Sequence, residues 1–201
     1  VPVSPIVQPG VPPYDVIVVA GGSSRRFGSD KLAARVGGES LLDRVLGAAS
    51  GGRHVRVVGP RRPTVRPVAW TREEPAGAGP AAAVVAGIAA IEGDSADAAP
   101  YVVLLAADLP YVTQETVDRL VTAVDESPTS DGALLVDPDG RAQYLCSAWR
   151  RDALTTAATR LADWDGVAVR ALLEPLHVRQ LPTRGREGHD VDRPEDLPSD
   201  A

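Results

Sequence analysis

The chain has 201 residues, 44% of them hydrophobic but only 4% aromatic, and a formal net charge of −6. That is enough apolar chain for one domain with a core built mainly from Ala, Val and Leu. The acidic balance argues against nucleic acid as a partner, because backbone binding needs a cationic field, and no run of about 18 apolar residues is present to cross a membrane.

In chain order, the proline-rich start, Val1 to Pro13, lacks the charged and apolar regions of a signal peptide. It reads as an extended, mobile arm ahead of a domain spanning 14–201, and cytoplasmic residence is the default expectation. Val16 to Ala20 is an apolar run too short for a helix, which predicts a strand buried on both faces. From Glu39 to Ser50, apolar Leu41, Leu42, Val45, Leu46 and Ala49 make one helical face, and Gly51-Gly52 stops it. "HVRVVG" and "RPVAW" read as the next strands. "GPAAAVVAGIAAIEG" reads as a helix with Pro80 near its first position.

Tyr101 to Ala106 is a further buried strand, and Thr113 caps a helix running to about Asp125. "DGALLVD" and "QYLCSAWR" read as strands. Arg151 to Leu161 is helical, "GVAVRALLEPL" is a short helix broken at Pro175, "HVRQLP" is the last strand and "RPEDL" a helical turn. Strands alternating with helices predict an α/β fold: a single-domain, open, mostly parallel, Rossmann-like sheet with helices on both faces. Ligands bind such sheets at the carboxyl ends of the strands. The polar loops Gly21–Lys31, Thr71–Gly79, Ala107–Val112 and Arg184–Pro194 should therefore face one crevice.

The first loop carries the strongest chemical signal. Ala20-Gly21-Gly22-Ser23 lets backbone N–H groups approach a ligand closely, and Arg25, Arg26 and Lys31 add positive charge, a set suited to polyphosphate. It is neither a Walker loop, since Gly28 and Lys31 are misplaced for one, nor a dinucleotide fingerprint, since Gly21 and Gly22 are adjacent. The missing fingerprint speaks against a nicotinamide oxidoreductase. Asp108, just past a buried strand in "LLAADLP", is a carboxylate placed either to turn the chain before Pro110 or to hold Mg²⁺ together with phosphate oxygens. In "GHDVDRPED", Asp190 and Asp192 alternate and so face one side of an extended segment. Cys146 stands alone, which excludes an intrachain disulfide, and its apolar setting predicts a packing residue. The tryptophans read as core, and His54 and His177 carry no chemistry.

The spacing A-G-G-x-S-x-R-x-G-x-D-K, from Ala20 to Lys31, resembles the signature loop of the nucleotidyltransferases, and most of all that of the molybdenum cofactor guanylyltransferases, with Phe27 where the family usually has Met. The resemblance runs from about Val16 to Leu197. It implies a nucleotidyltransferase-type sheet and transfer of GMP from GTP to the terminal phosphate of molybdopterin, with release of pyrophosphate. It also implies Mg²⁺ as cofactor and allows a partner protein that delivers or receives the molybdenum cofactor. Ala20, Gly21, Gly22, Ser23, Arg26 and Lys31 would hold the triphosphate. Asp108 and Asp192 would hold the metal, with Lys31, Arg26 and Asp108 the catalytic groups.

"EEPAGAGPAAAVVAG" resembles the family segment ending G-P-L-A-G, which would put Glu74 near the base or ribose and let Gly77, Gly79 and Pro80 shape the base pocket. "QYLCSAWR" resembles Q-P-L-x-A-L-[WY]-R, with Tyr144 replacing Pro, so Gln143 would contact the acceptor; Asp190 is a candidate either for the acceptor side or for support behind the metal ligands, and His189, adjoining the acidic loop, is a weaker acceptor-side candidate. The D-x-D-x-P-E-D form is more typical of the cytidylyl branch than the asparagines frequent among guanylyl enzymes. A cytidylyltransferase or another transferase with a different phosphorylated acceptor is the alternative. A nucleotide-binding regulator without turnover is a further one.

Overall fold

The computed structural model describes residues 10–22, 27–28, 30–94, 97–160 and 164–198. The expected arm therefore falls mostly outside the described residues, and β1 (Tyr14–Val19) opens the sheet with every residue buried. Next comes a small hairpin, β2 (Arg35–Val36) against β3 (Glu39–Ser40). It turns through Gly37 and Gly38 at φ of 59° and 84°, values a two-residue hairpin turn demands and glycine meets without steric cost. The helix expected from Glu39 therefore starts later, as α1 (Leu41–Ala48), with the Ser40 hydroxyl accepting the Asp43 N–H as its cap.

β4 (Val55–Val58), β5 (Ala69–Thr71), α2 (Pro80–Asp94) and β6 (Tyr101–Ala106) follow, then α3 (Gln114–Asp125). Thr113 caps α3 in a reciprocal box with Thr116. β7 (Gly132–Val136), β8 (Ala142–Arg150), α4 (Arg151–Arg160), α5 (Val169–Leu173) and β9 (Val178–Pro182) complete the order, with a 3-10 turn at Pro194–Asp196.

The seven long strands lie in the order β5-β4-β1-β6-β8-β7-β9. All pairings are parallel except those of β8, which runs antiparallel to both β6 and β7. The cause is local. The Asp137 carboxylate accepts the N–H groups of Asp139 and Arg141, and Gly140 sits at φ 81°, so β7 turns straight back into β8 without a crossover.

Helices cover both faces. On one, α1 and α3 bury Leu42, Val45, Leu46, Val117, Leu120 and Val121 against β1, β6 and β8. On the other, α2, α4 and α5 bury Val84, Ile88, Ile91, Leu154 and Leu172 around Ile17 and Trp149. Each such side chain contributes about 1.5–3 kcal/mol relative to exposure. The low aromatic content has a packing counterpart in α2. A methyl on Gly87 would lie 2.7 Å from Ile17, so the small residues of this helix let it press closely onto β1. Cys146 is fully buried, and burial pushes its thiol up to about 12.

At the amino-terminal edge of the sheet, buried Asp15 accepts from the backbone N–H groups of His54 and Ala99 and pairs with Arg151 and the His54 ring. That gives His54 a structural partner. No helix among the described residues is long and apolar enough to cross a membrane.

Candidate active site

The parallel strands end along one edge, and four segments converge there. The first is the glycine loop. Ala20 is buried at the end of β1, its N–H bonded to Val58, while Gly21 and Gly22 turn outward, Gly22 at φ 131° with open space around it. Ser23 and Arg26 lie outside the described residues. At the loop's far end, Phe27 packs on Val36, Leu41 and Val191. A 3-10 turn at Lys31–Ala33 is capped by Asp30, whose carboxylate accepts the Leu32 N–H, and buried Leu32 anchors it. The turn aims Lys31 inward.

Lys31 is where the segments meet. Its Nζ donates to Asp108 Oδ2 at 2.5 Å and to the Val191 carbonyl at 2.8 Å, and lies 3.8 Å from Asp192 Oδ1. The lysine and Asp108 side chains are each only 17% exposed, whereas Asp192 is 46% exposed. Burial pushes the Asp108 carboxyl above its usual range, the Lys31 hydrogen bond and charge oppose that, and the charge of Asp190 adds to it. Asp190 itself is exposed, and the residue between the two aspartates, Val191, is fully buried, as alternation on an extended segment requires. The Val191 N–H donates to the Asp108 carbonyl, fastening this segment to the tip of β6.

Buried Glu187 holds the same segment from behind. It accepts from Thr116, Arg119 and the Arg184 N–H at 2.8, 2.5 and 2.7 Å. Gln143, at the start of β8, packs against Gly188, and its amide reaches Asp137 at 3.4 Å. Beside it, Arg186 lies over the Tyr111 ring at 4.4 Å, with the His189 ring tilted against the same tyrosine.

The structure thus brings Lys31, Asp108 and Asp192 together, with Asp190 close by. It does not do the same for Glu74, which is exposed. Its neighbour Glu73 is only 6% exposed, accepts the Gly77 N–H at 2.9 Å and lies against Gly21. The second oxygen of Glu73 is buried with no donor facing it among the described residues, a costly state for a carboxylate and one that a ligand's donor would relieve. Gly79, at φ 99°, precedes α2 and accepts the Ala83 N–H. Arg62, from the loop after β4, joins the site without a sequence signal. Its guanidinium clasps the glycine loop at both ends, donating to the Ala20 carbonyl at 3.2 Å and to the Asp30 carboxylate at 2.7 Å. Nothing in "PRRPTVRP" distinguishes Arg62 from Arg61 or Arg66.

No group of three or more His, Cys, Asp or Glu among the described residues is arranged to hold a metal. Asp108 and Asp192 do offer hard oxygen donors that both approach one cation, the Lys31 ammonium. That set fits Mg²⁺, which takes one or two carboxylates and completes its shell with water and substrate phosphate.

A family model described as the MobA-like NTP transferase domain matches residues 16–181. A probable molybdenum cofactor guanylyltransferase of Mycobacterium avium is 33% identical, covering 82% of this chain and 83% of that one. Among solved structures, the molybdopterin-guanine dinucleotide biosynthesis protein A of Archaeoglobus fulgidus superposes with a TM-score of 0.66 at 20% identity, covering 90% of this chain and 94% of that one. The 2-C-methyl-D-erythritol 4-phosphate cytidylyltransferase of Thermus thermophilus gives 0.60 at 16% identity, covering 90% and 93%. These structural likenesses concern the fold.

Proposed function

We propose that this chain, which belongs to the MobA-like NTP transferase family, is a nucleotidyltransferase that moves GMP from GTP to the terminal phosphate of molybdopterin. The nucleotidyl-transfer class follows from the family. The guanine donor and pterin acceptor are supported by relatives that carry the guanylyltransferase name at 33% identity. The observation that carries the site is the contact of Lys31 with Asp108 at the mouth of the glycine loop, with Asp192 alongside.

In this reading an acceptor phosphate oxygen attacks the α-phosphorus of GTP, the bond to the β-phosphate oxygen breaks, and pyrophosphate leaves. The nucleophile is already anionic, so no general base is needed. What the protein must do is bring two anions together and stabilise the charge that develops. The N–H groups of Gly21 and Gly22 and the ammonium of Lys31 face the phosphates, and Arg26 adds charge from the same loop. Asp108 and Asp192 would hold Mg²⁺, which when bound supplies positive charge to the phosphate oxygens. The free oxygen of Glu73 accepts an N–H or O–H from the nucleoside, beside the loop that holds its phosphates. Gln143, Asp190 and His189 border the side left for the acceptor.

One observation favours a second reading. Asp190 and Asp192 are the acidic pair more typical of cytidylyl enzymes. Incubating the protein with each of GTP, CTP, ATP and UTP, Mg²⁺ and molybdopterin, and measuring pyrophosphate, decides between them. Release from GTP alone supports the proposal, release from CTP alone replaces the guanine donor, and binding without release points to a different phosphorylated acceptor or to a regulator. A thermal-shift series with the same nucleotides reports the binding preference independently of turnover.

A further inference from the structure

We propose that Lys31 also acts as a placeholder for the metal. In the nucleotide-free protein its ammonium holds the position between Asp108 and Asp192 that a divalent cation takes when the triphosphate arrives. Metal and nucleotide then enter together. The inference rests on the reading of Asp108 and Asp192 as the metal-side carboxylates.

The geometry is that of an occupied cation site. Nζ is 2.5 Å from one carboxylate and 3.8 Å from the other, and the Val191 carbonyl takes a further donor at 2.8 Å. A divalent ion cannot share this place, since two cations in contact in a site this buried repel strongly. Nor is its field attractive enough alone. The ammonium already offsets much of the charge of the carboxylates nearest to it, and a strongly hydrated ion gives up its water reluctantly. Lysine is a point charge on a long flexible stem. Its attachment, the turn at Lys31–Ala33, lies at the end of the glycine loop, so the same flexible stem can carry the ammonium from the carboxylates toward a phosphate held by that loop. A triphosphate thus does two things at once: it gives the ammonium a new partner, and it brings the negative charge and the oxygen ligands that the metal lacks. The glycine loop and the carboxylates are coupled through one side chain, and each ligand raises the affinity for the other.

The probe is Mn²⁺, with the free ion counted by electron paramagnetic resonance in the absence of nucleotide. The parent should bind it weakly. Lys31→Met, neutral and of similar shape, should bind it roughly tenfold or more tightly, and adding Asp192→Asn should reverse the gain. Lys31→Arg, which keeps a cation, should stay as weak as the parent. Mn²⁺ binding to Lys31→Met no tighter than to the parent overturns the inference. If Lys31→Met does not fold, the parent decides alone: nucleotide-free protein that takes Mn²⁺ as tightly as protein saturated with a non-hydrolysable GTP analogue has no lysine in the way. The proposed metal site fails separately, and the inference with it, if the parent and its analogue together bind no more Mn²⁺ than the analogue does by itself.

Discussion

Gly59 sets the root of the glycine loop, and replacing it with alanine should damage stability and nucleotide binding together. It follows β4 at φ 146°, donates its N–H to Thr71 and passes directly under the end of β1. A methyl there would lie 2.8 Å from both the carbonyl carbon and oxygen of Ala20 and 3.0 Å from the nitrogen of Gly21. These are backbone atoms that cannot swing aside, so either β4 or the start of the loop must move. A side chain held at that φ costs about 1–3 kcal/mol, and forcing a carbon into a packed site costs a similar amount. The total of roughly 2–6 kcal/mol corresponds to a fall of about 4–24 °C in melting temperature for a chain of this size. Differential scanning calorimetry measures the fall, and titration with GTP and Mg²⁺ should show at least a tenfold loss of affinity. Gly47→Ala is the control. It lies within α1, and nothing approaches the added methyl within 4 Å, so that variant should gain about 0.5–1 kcal/mol and bind as the parent does. A Gly59→Ala protein that melts with the parent and binds GTP equally well would show that this contact does not shape the loop.

Glu73→Gln keeps an oxygen for the Gly77 N–H but removes the buried charge. GTP affinity by calorimetry should fall about tenfold or more, as expected for a hydrogen bond to an ionised acceptor, while unliganded stability holds or rises; unchanged affinity would mean that the free oxygen meets no nucleotide. Burial raises the Asp108 pKa, so the native state favours its neutral form. That contribution is complete below the unfolded value and is lost as pH rises through the folded one. Asp108→Asn does not titrate, and its melting temperature relative to the parent should therefore be more favourable near pH 7 than near pH 4, the ordinary aspartate range; the opposite trend would mean that the Lys31 pairing outweighs burial. The same variant should lose pyrophosphate release. Cys146, fully buried with its thiol pushed up to about 12, should resist iodoacetamide until the protein is unfolded, and rapid alkylation of the native protein would contradict the packing described.

Much of the architecture is readable from neighbours in sequence. The apolar run at Val16 and the cap at Thr113 act over a few residues, and each appears where those residues put it, whereas α1 ends at Ala48, short of the stop expected at Gly51-Gly52. The hairpin at Gly37-Gly38 carries a usable signal, two adjacent glycines between short extended pairs, which the helical face beginning at Leu41 obscures. The choice between Glu73 and Glu74 is different. Which of two adjacent glutamates turns inward depends on how the chain leaves β5 and meets Gly21, and that is a tertiary matter. The glycine loop, Asp108 and Asp192 can each be marked in the sequence. That one ammonium joins them cannot, since Lys31 and Asp108 are 77 positions apart and meet only because β1 and β6 are sheet neighbours.

The bond from Lys31 to the Val191 carbonyl spans 160 positions, from the first loop of the sheet to a segment beyond its last strand. During synthesis the amino-terminal partner leaves the ribosome long before the other exists. β1, α1 and the glycine loop can take their places while Asp192 has yet to be translated, and both helical layers can close over a sheet whose chemistry is incomplete. A chain that ended at Arg184 would contain the residues of every strand of that sheet but not the carbonyl and the carboxylate that meet the lysine. The strands of the sheet are thus complete by Pro182, whereas the cluster around Lys31 is complete only once residues 184–192 lie against the tip of β6.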